Sequence, residues 1–185
     1  MRPEIFSKIL HPVIVVPVTG LLYLSFTGIS VWETTYWISI WIMTSMVPTV
    51  VYVWRTGDEK SLDIISSIDR RPAYGVGLAT AVGSTLFLYL LSAPVPVITA
   101  CLVGLVTASA FAAVNYFSKV SVHTGATTAS GTLLLTESLL GLLLLLLSPL
   151  VAWSRVKMQR HSSQEVLAGG LLGVTCVLFG VVLFL

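Results

Sequence analysis

Charge is what this sequence has least of. Only 10% of its 185 residues are Asp, Glu, Lys or Arg, against roughly 25% in ordinary soluble domains. That scarcity excludes a water-soluble domain, because the 56% of residues that are apolar would form a core with almost no surface to cover it. A mean hydropathy of +0.95 leads to the same reading, an integral membrane protein. The net charge of +2 is too small to speak for a nucleic-acid partner. Cysteine is nearly absent too. Cys101 and Cys176 fall inside apolar runs, where they read as small buried hydrophobes rather than a disulfide or a metal pair; no cofactor is expected. Linkers and repeats are missing, so one domain over 1–185 is expected. The apolar run from Pro12 follows Arg2 and Lys8 but lacks the small-residue cleavage site of a secretory leader, and Pro17 and Thr19 interrupt it. It reads as a retained first span.

Long hydrophobic runs are what the sequence has instead. A bilayer core about 30 Å thick needs ~20 apolar residues per helix. Such runs cover 12–32, 35–54, 74–92, 97–117 and 164–185, separated by "VWETT", a polar loop at 55–72, "SAPVP" and "SKVSVH". Within the loop, Leu62, Ile65 and Ile68 recur at helical spacing, which predicts a short interfacial helix. Residues 124–152 admit two readings. One helix there would be about 44 Å long at ~1.5 Å per residue, too long for an untilted span, although hydropathy slightly favours it. The other reading is a hairpin of two short helices turning near "TESLLG", with Glu137 and Gly141 at the bend. The fold class expected is an all-α, polytopic membrane bundle of six or seven helical elements.

The few polar side chains gather in three places: Asp69-Arg70-Arg71-Pro72, "SKVSVHTG" with Lys119, Ser121 and His123, and "SRVKMQRHSSQEV" with Arg155, His161 and Glu165. Each lies at a span end, away from the bilayer centre, where insertion of Arg or Lys costs about 2.5–3.5 kcal/mol. Several cations converging on one point call for an anion, and planar guanidinium forks suit phosphate oxygens. One histidine can attack phosphorus while a second protonates the leaving oxygen. Glu165, four residues after His161, shares its helix face and could hold the imidazole in the tautomer that frees its other nitrogen. One phosphate cannot be gripped from both sides of a membrane, so this chemistry favours the hairpin.

These residues resemble the motifs of the phosphatidic acid phosphatase type 2 superfamily of lipid phosphatases. Ser154-Arg155, His161 and Glu165 match SRxxxxxHxxxD, with Glu in place of Asp. Val120-Ser121-Val122-His123 resembles PSGH, and Arg71-Pro72 the end of KxxxxxxRP. The resemblance covers roughly 60–175. It departs at Ile64, where the first motif has lysine, and at Val122, where the second has glycine. A branch of the superfamily reading K-[IV]-S-x-H is nearer, with Lys119 or, more weakly, Lys60 supplying the missing charge. The resemblance implies a metal-independent phosphatase acting on a lipid phosphate or isoprenyl diphosphate through a phosphohistidine. His161 would be the nucleophile, Glu165 its orienting carboxylate and His123 the general acid. Arg71 (or Arg70), Arg155, Ser121 and Lys119 would hold the phosphoryl oxygens. The family also includes phosphotransferases, and a non-catalytic binding or scaffold member is the reading from another class.

Plainer roles stand beside these. Ser162-Ser163-Gln164-Glu165 fits a capping box. Lys157 and Arg160 read as snorkelling anchors, His11 as a structural interfacial histidine, and the five tryptophans mostly as aromatic-belt residues. With seven passes, every basic residue falls on the face that carries the clusters, opposite Glu33 and Glu137. Six remain there when Arg70, Arg71, Lys119 and Arg155 are set aside for catalysis. The positive-inside rule then predicts a cytoplasmic active site and N-terminus.

Overall fold

The computed structural model describes residues 2–56 and 67–184, with the side chains of 67–70 left aside. Its elements are α1 (Pro3–Ile9), α2 (Pro12–Phe26), α3 (Val31–Trp41), α4 (Val47–Thr56), α5 (Ser67–Leu90), α6 (Val95–Phe117), α7 (Val122–Leu135), α8 (Leu140–Lys157) and α9 (Ser163–Phe184), with no strand among the described residues. One turn of π-helix, Ile42–Met46, joins α3 to α4 into a rod over Val31–Thr56. The Val47 N–H reaches back to the Ile42 carbonyl, and Pro48 has no N–H to offer the Thr44 carbonyl. Among the described residues five helices are long and apolar enough to cross a membrane: this rod, the Arg71–Leu90 stretch of α5, and α6, α8 and α9. The architecture is the expected all-α, multi-pass bundle.

Residues 124–152 form a hairpin, α7 and α8, that turns over Thr136–Leu139 with Glu137 in the turn. At its crossing a Cβ on Gly141 would land on the Gly131 carbonyl, so the two backbones touch. The helix α7 is the axis of the molecule. At 14 residues it is about 21 Å long, short for a bilayer, and ten of its residues are buried against neighbouring helices. That position explains how a stretch rich in Thr, Ser and Gly sits inside a hydrocarbon slab. Thr127 and Thr132 donate to the carbonyls of His123 and Thr128, each at 2.9 Å, and Thr128 donates across to the Gly170 carbonyl of α9 at 2.9 Å. Interhelical hydroxyl bonds of this kind and close glycine contacts hold membrane helices together where the hydrophobic effect does not. Thr44–Ser84 at 2.6 Å and Thr49–Thr80 at 2.9 Å join α5 to the rod in the same way.

Two expectations are corrected, and one helix is added. The first span is shorter than 12–32: α2 stops at Phe26 and the chain turns through Gly28 at φ +84°, a conformation open to glycine. "VWETT" is no turn but the first turn of α3, because Ser30 and Glu33 form a reciprocal capping box, with the Ser30 hydroxyl accepting at 3.2 Å and Glu33 Oε2 accepting at 3.3 Å. The flank before Pro12 is itself a helix, α1, bent 46° from α2 and packed on α8, where Phe6 meets Trp153 edge-on at 6.3 Å. The interfacial helix expected at 62–68, Lys60 and Ile64 lie outside the residues whose side chains are described.

Candidate functional site

Helix α8 ends in a turn through Gln159, a non-glycine residue at φ +54°. The N–H groups of Arg160 and His161 both return to the Arg155 carbonyl, at 3.0 and 3.4 Å. The turn folds His161 inward until only 8% of it is exposed. Its Nδ1 lies 2.8 Å from Glu165 Oε2. The same oxygen accepts the Ser162 N–H at 3.2 Å, and the Ser162 hydroxyl accepts the Glu165 N–H at 3.2 Å. Capping and orienting are therefore one arrangement, since a carboxylate has lone pairs for several donors. The carboxylate accepts, so Nδ1 carries the hydrogen and Nε2 keeps its lone pair. Burial pushes the His161 pKa down to about 4. The Arg155 and Lys119 charges act in the same direction, against the upward pull of Glu165. The imidazole is neutral at pH 7.

The second cluster reaches this turn through its backbone. The Ser121 N–H donates to the Glu165 carbonyl at 3.0 Å, and Lys119 Nζ donates to the Arg160 carbonyl at 2.7 Å while standing 3.8 Å from Glu165 Oε2. Asn115, buried at the end of α6, accepts the Val120 N–H at 3.1 Å and fixes the link from its other side. One glycine makes the approach possible: a Cβ on Gly169 would fall on the Ser121 carbonyl. Replacing Gly169 with valine is therefore expected to separate α7 from α9. Overpacking of this kind costs about 1–3 kcal/mol. A lowered detergent-denaturation midpoint, together with loss of whatever activity the site has, checks it; an unchanged midpoint would remove this contact from the account.

His123 follows on the first turn of α7, 5% exposed. Its ring stands perpendicular to that of His11, 4.7 Å between centroids. Arg155, 3% exposed, donates from Nη1 to the Ser7 hydroxyl at 2.9 Å. His11, His123, Arg155 and His161 all line one cavity of about 540 Å³. Arg155 gives this end of the cavity its positive charge, and the three imidazoles give it groups able to donate or accept protons. No family model, characterised protein or solved structure matches this chain.

The remaining sequence candidates sit around this pole in different ways. Glu165 and Lys119 stand behind His161. Ser121 is fully buried, and its hydroxyl caps α7 by accepting from the Thr124 N–H at 3.4 Å and the Thr124 hydroxyl at 3.1 Å. Arg71 is at the same end of the bundle but exposed, its guanidinium 4.1 Å over the Tyr116 ring and donating to the Tyr116 carbonyl at 3.2 Å. The Arg70 side chain lies outside the described residues. Among the described residues, no three His, Cys, Asp or Glu side chains gather as a metal site.

Two residues of the pole escaped sequence reasoning. His11, read as merely interfacial, caps α2 by accepting the Val13 N–H on Nδ1 at 3.2 Å, and it abuts His123. The His-Pro pair ahead of an apolar run was the available signal, since proline favours the first helical position. Ser7 has no local signal at all, because its partner Arg155 is 148 positions away. Trp37 and Trp41, read as belt residues, line the cavity instead.

Proposed function

We propose that this protein is a membrane phosphatase for a lipid phosphate or isoprenyl diphosphate, working without a metal through a phosphohistidine on His161. The observation that carries the reading is the buried His161 held by the half-buried Glu165, with Nδ1 2.8 Å from Oε2, the imidazole lining a cavity end shared with Arg155 and His123. A neutral imidazole with its lone pair on Nε2 is the form a nucleophile needs. Nε2 attacks phosphorus as the bond to the leaving oxygen breaks, and His123 gives that oxygen a proton. Water then attacks the phosphohistidine, His123 takes the proton back, and inorganic phosphate leaves. Arg155 offers guanidinium donors to the equatorial oxygens, where charge develops. The motif resemblance to the phosphatidic acid phosphatase type 2 superfamily supports the same assignment.

The test is phosphate release from a detergent-solubilised lipid phosphate with EDTA present. Undiminished turnover in the chelator is expected, and no release across phosphatidate, phosphatidylglycerophosphate and isoprenyl diphosphate would overturn the reading. The acid limb of kcat/KM reports the free protein. Because the His161 pKa is depressed to about 4, the nucleophile survives until pH falls toward that value rather than failing near 6.5, the ordinary histidine value. Removing the upward pull with Glu165→Gln should move the limb to lower pH. A limb that moves upward in that variant contradicts the assignment; one near 6 that Glu165→Gln leaves in place belongs to the substrate phosphate, whose second pKa is about 6.

The site faces the cytoplasm in this proposal. Arg2, Lys8, Arg55, Lys157 and Arg160 stand at the helix ends that carry the site, and Glu33 and Glu137 are at the opposite end. The bias of short loops toward Lys and Arg on the cytoplasmic side sets the orientation. A reporter that works only in the cytoplasm, fused to the C-terminus, is expected to be silent. Activity from that fusion would reverse the assignment.

A further inference from the structure

The cavity does not end at its polar pole. Its wall runs past Gly104 to Leu24, Val97 and Leu133, which belong to or pack on the apolar cluster of Tyr23, Ile38, Leu88 and Leu134. From Phe111 to Val97 on α6 is 14 residues, about 21 Å of depth at ~1.5 Å per residue. Small residues at four-residue spacing leave room along it: Ala73, Gly77 and Ala81 on α5 and Ala100, Gly104 and Ala108 on α6 are all part of its wall. One polar atom within the apolar stretch also marks it. Thr19 lines the cavity, is 2% exposed, and its hydroxyl has no hydrogen-bond partner, whereas buried hydroxyls are ordinarily satisfied.

We propose that this chamber receives the hydrocarbon tail of a single-chain lipid phosphate, so that the tail lies inside the helix bundle and the phosphate meets His161 and Arg155. The inference rests on the phosphatase reading and narrows it. One chamber with one cationic pole matches an amphiphile with one anionic head and one chain. A diacyl lipid would have to leave its second chain against the charged pole or outside the bundle. Burying each further methylene of a monomeric substrate multiplies binding by up to about fourfold, until the chamber is full.

Gly104 gives the test, because it lines the chamber about halfway along α6 and a Cβ built there meets nothing within 4 Å. Gly104→Leu therefore plugs the chamber without displacing a neighbour, and Gly104→Ala is the folding control. The readout is the ratio of kcat/KM for a long alkyl phosphate to that for a short one, both below their micellar concentrations. The ratio is expected to rise with chain length in the parent and in Gly104→Ala, and to fall at least tenfold in Gly104→Leu. A diacyl phosphatidate should trail a single-chain phosphate of equal chain length by tenfold or more. An unchanged ratio in Gly104→Leu, or equal rates for the two lipid types, overturns the proposal. If no phosphate is released from any substrate, the phosphatase reading fails alone, and binding of a long-chain alkyl phosphonate still decides the chamber. Loss of that binding in Gly104→Leu, but not in Gly104→Ala, sustains it; equal binding by both ends it.

Discussion

Replacing His161 with alanine is expected to lower phosphate release by roughly 10⁴–10⁶-fold, the scale on which removal of a nucleophile acts. The fold should persist. The substitution removes the bond to Glu165 Oε2, but that oxygen keeps the Ser162 N–H, and the reciprocal Ser162–Glu165 cap stands without the imidazole. A radiolabelled lipid phosphate should leave an acid-labile, alkali-stable label on the parent protein and none on the variant. His161→Asn, which retains a polar group in the buried turn, serves as a second variant should the alanine protein be poorly folded. Turnover above a hundredth of the parent rate in a folded variant would falsify the phosphohistidine mechanism.

His123→Ala should lose roughly 10²–10⁴-fold, the usual contribution of one general acid, and the loss should depend on the substrate. An alkoxide needs a proton as its bond to phosphorus breaks; a nitrophenolate hardly does. The deficit is therefore expected to shrink at least tenfold when an aryl phosphate replaces an alkyl one. An equal deficit on both substrates would mean that His123 positions the phosphate without donating a proton. His11, whose ring stands 4.7 Å from that of His123, offers a control within the same pair. His11→Phe preserves a ring against His123, so it should show a smaller deficit with no dependence on the leaving group.

Much of the bundle was legible in the sequence because the bilayer reduces helix assignment to counting apolar residues. The spans ending at α6 and α9 were placed within a residue or two. Where local chemistry overrides hydropathy, the reading slipped. "VWETT" contains a glutamate and two threonines and looks like a turn, yet Glu33 closes a capping box on Ser30 and starts a helix there. The 12–32 run looks continuous to a hydropathy scale, but a glycine at positive φ ends its helix early. The hairpin at 124–152 was read from chemistry against a slight preference of hydropathy, on the ground that two histidines cannot serve one phosphate from opposite faces.

By itself the sequence determined that the chain is a multi-pass helical membrane protein, and which span ends carry its cations and histidines. The sequence expected His161 and Glu165 to meet on one helix face; they do meet, but α9 begins only at Ser163, and the turn through Gln159 is what brings the imidazole to the carboxylate. Everything that depends on contacts between distant segments was decided by tertiary structure alone. Ser7 reaches Arg155 only because α1 lies on α8, and His11 reaches His123 only because the start of α2 meets the start of α7. Ser121 gives its N–H to the Glu165 carbonyl only because α7 and α9 approach closely at Gly169. The chamber is the extreme case. Its small residues are spaced as many membrane helix contacts are, and only the positions of α2, α5, α6 and α7 around one empty volume distinguish a hollow from a packed seam.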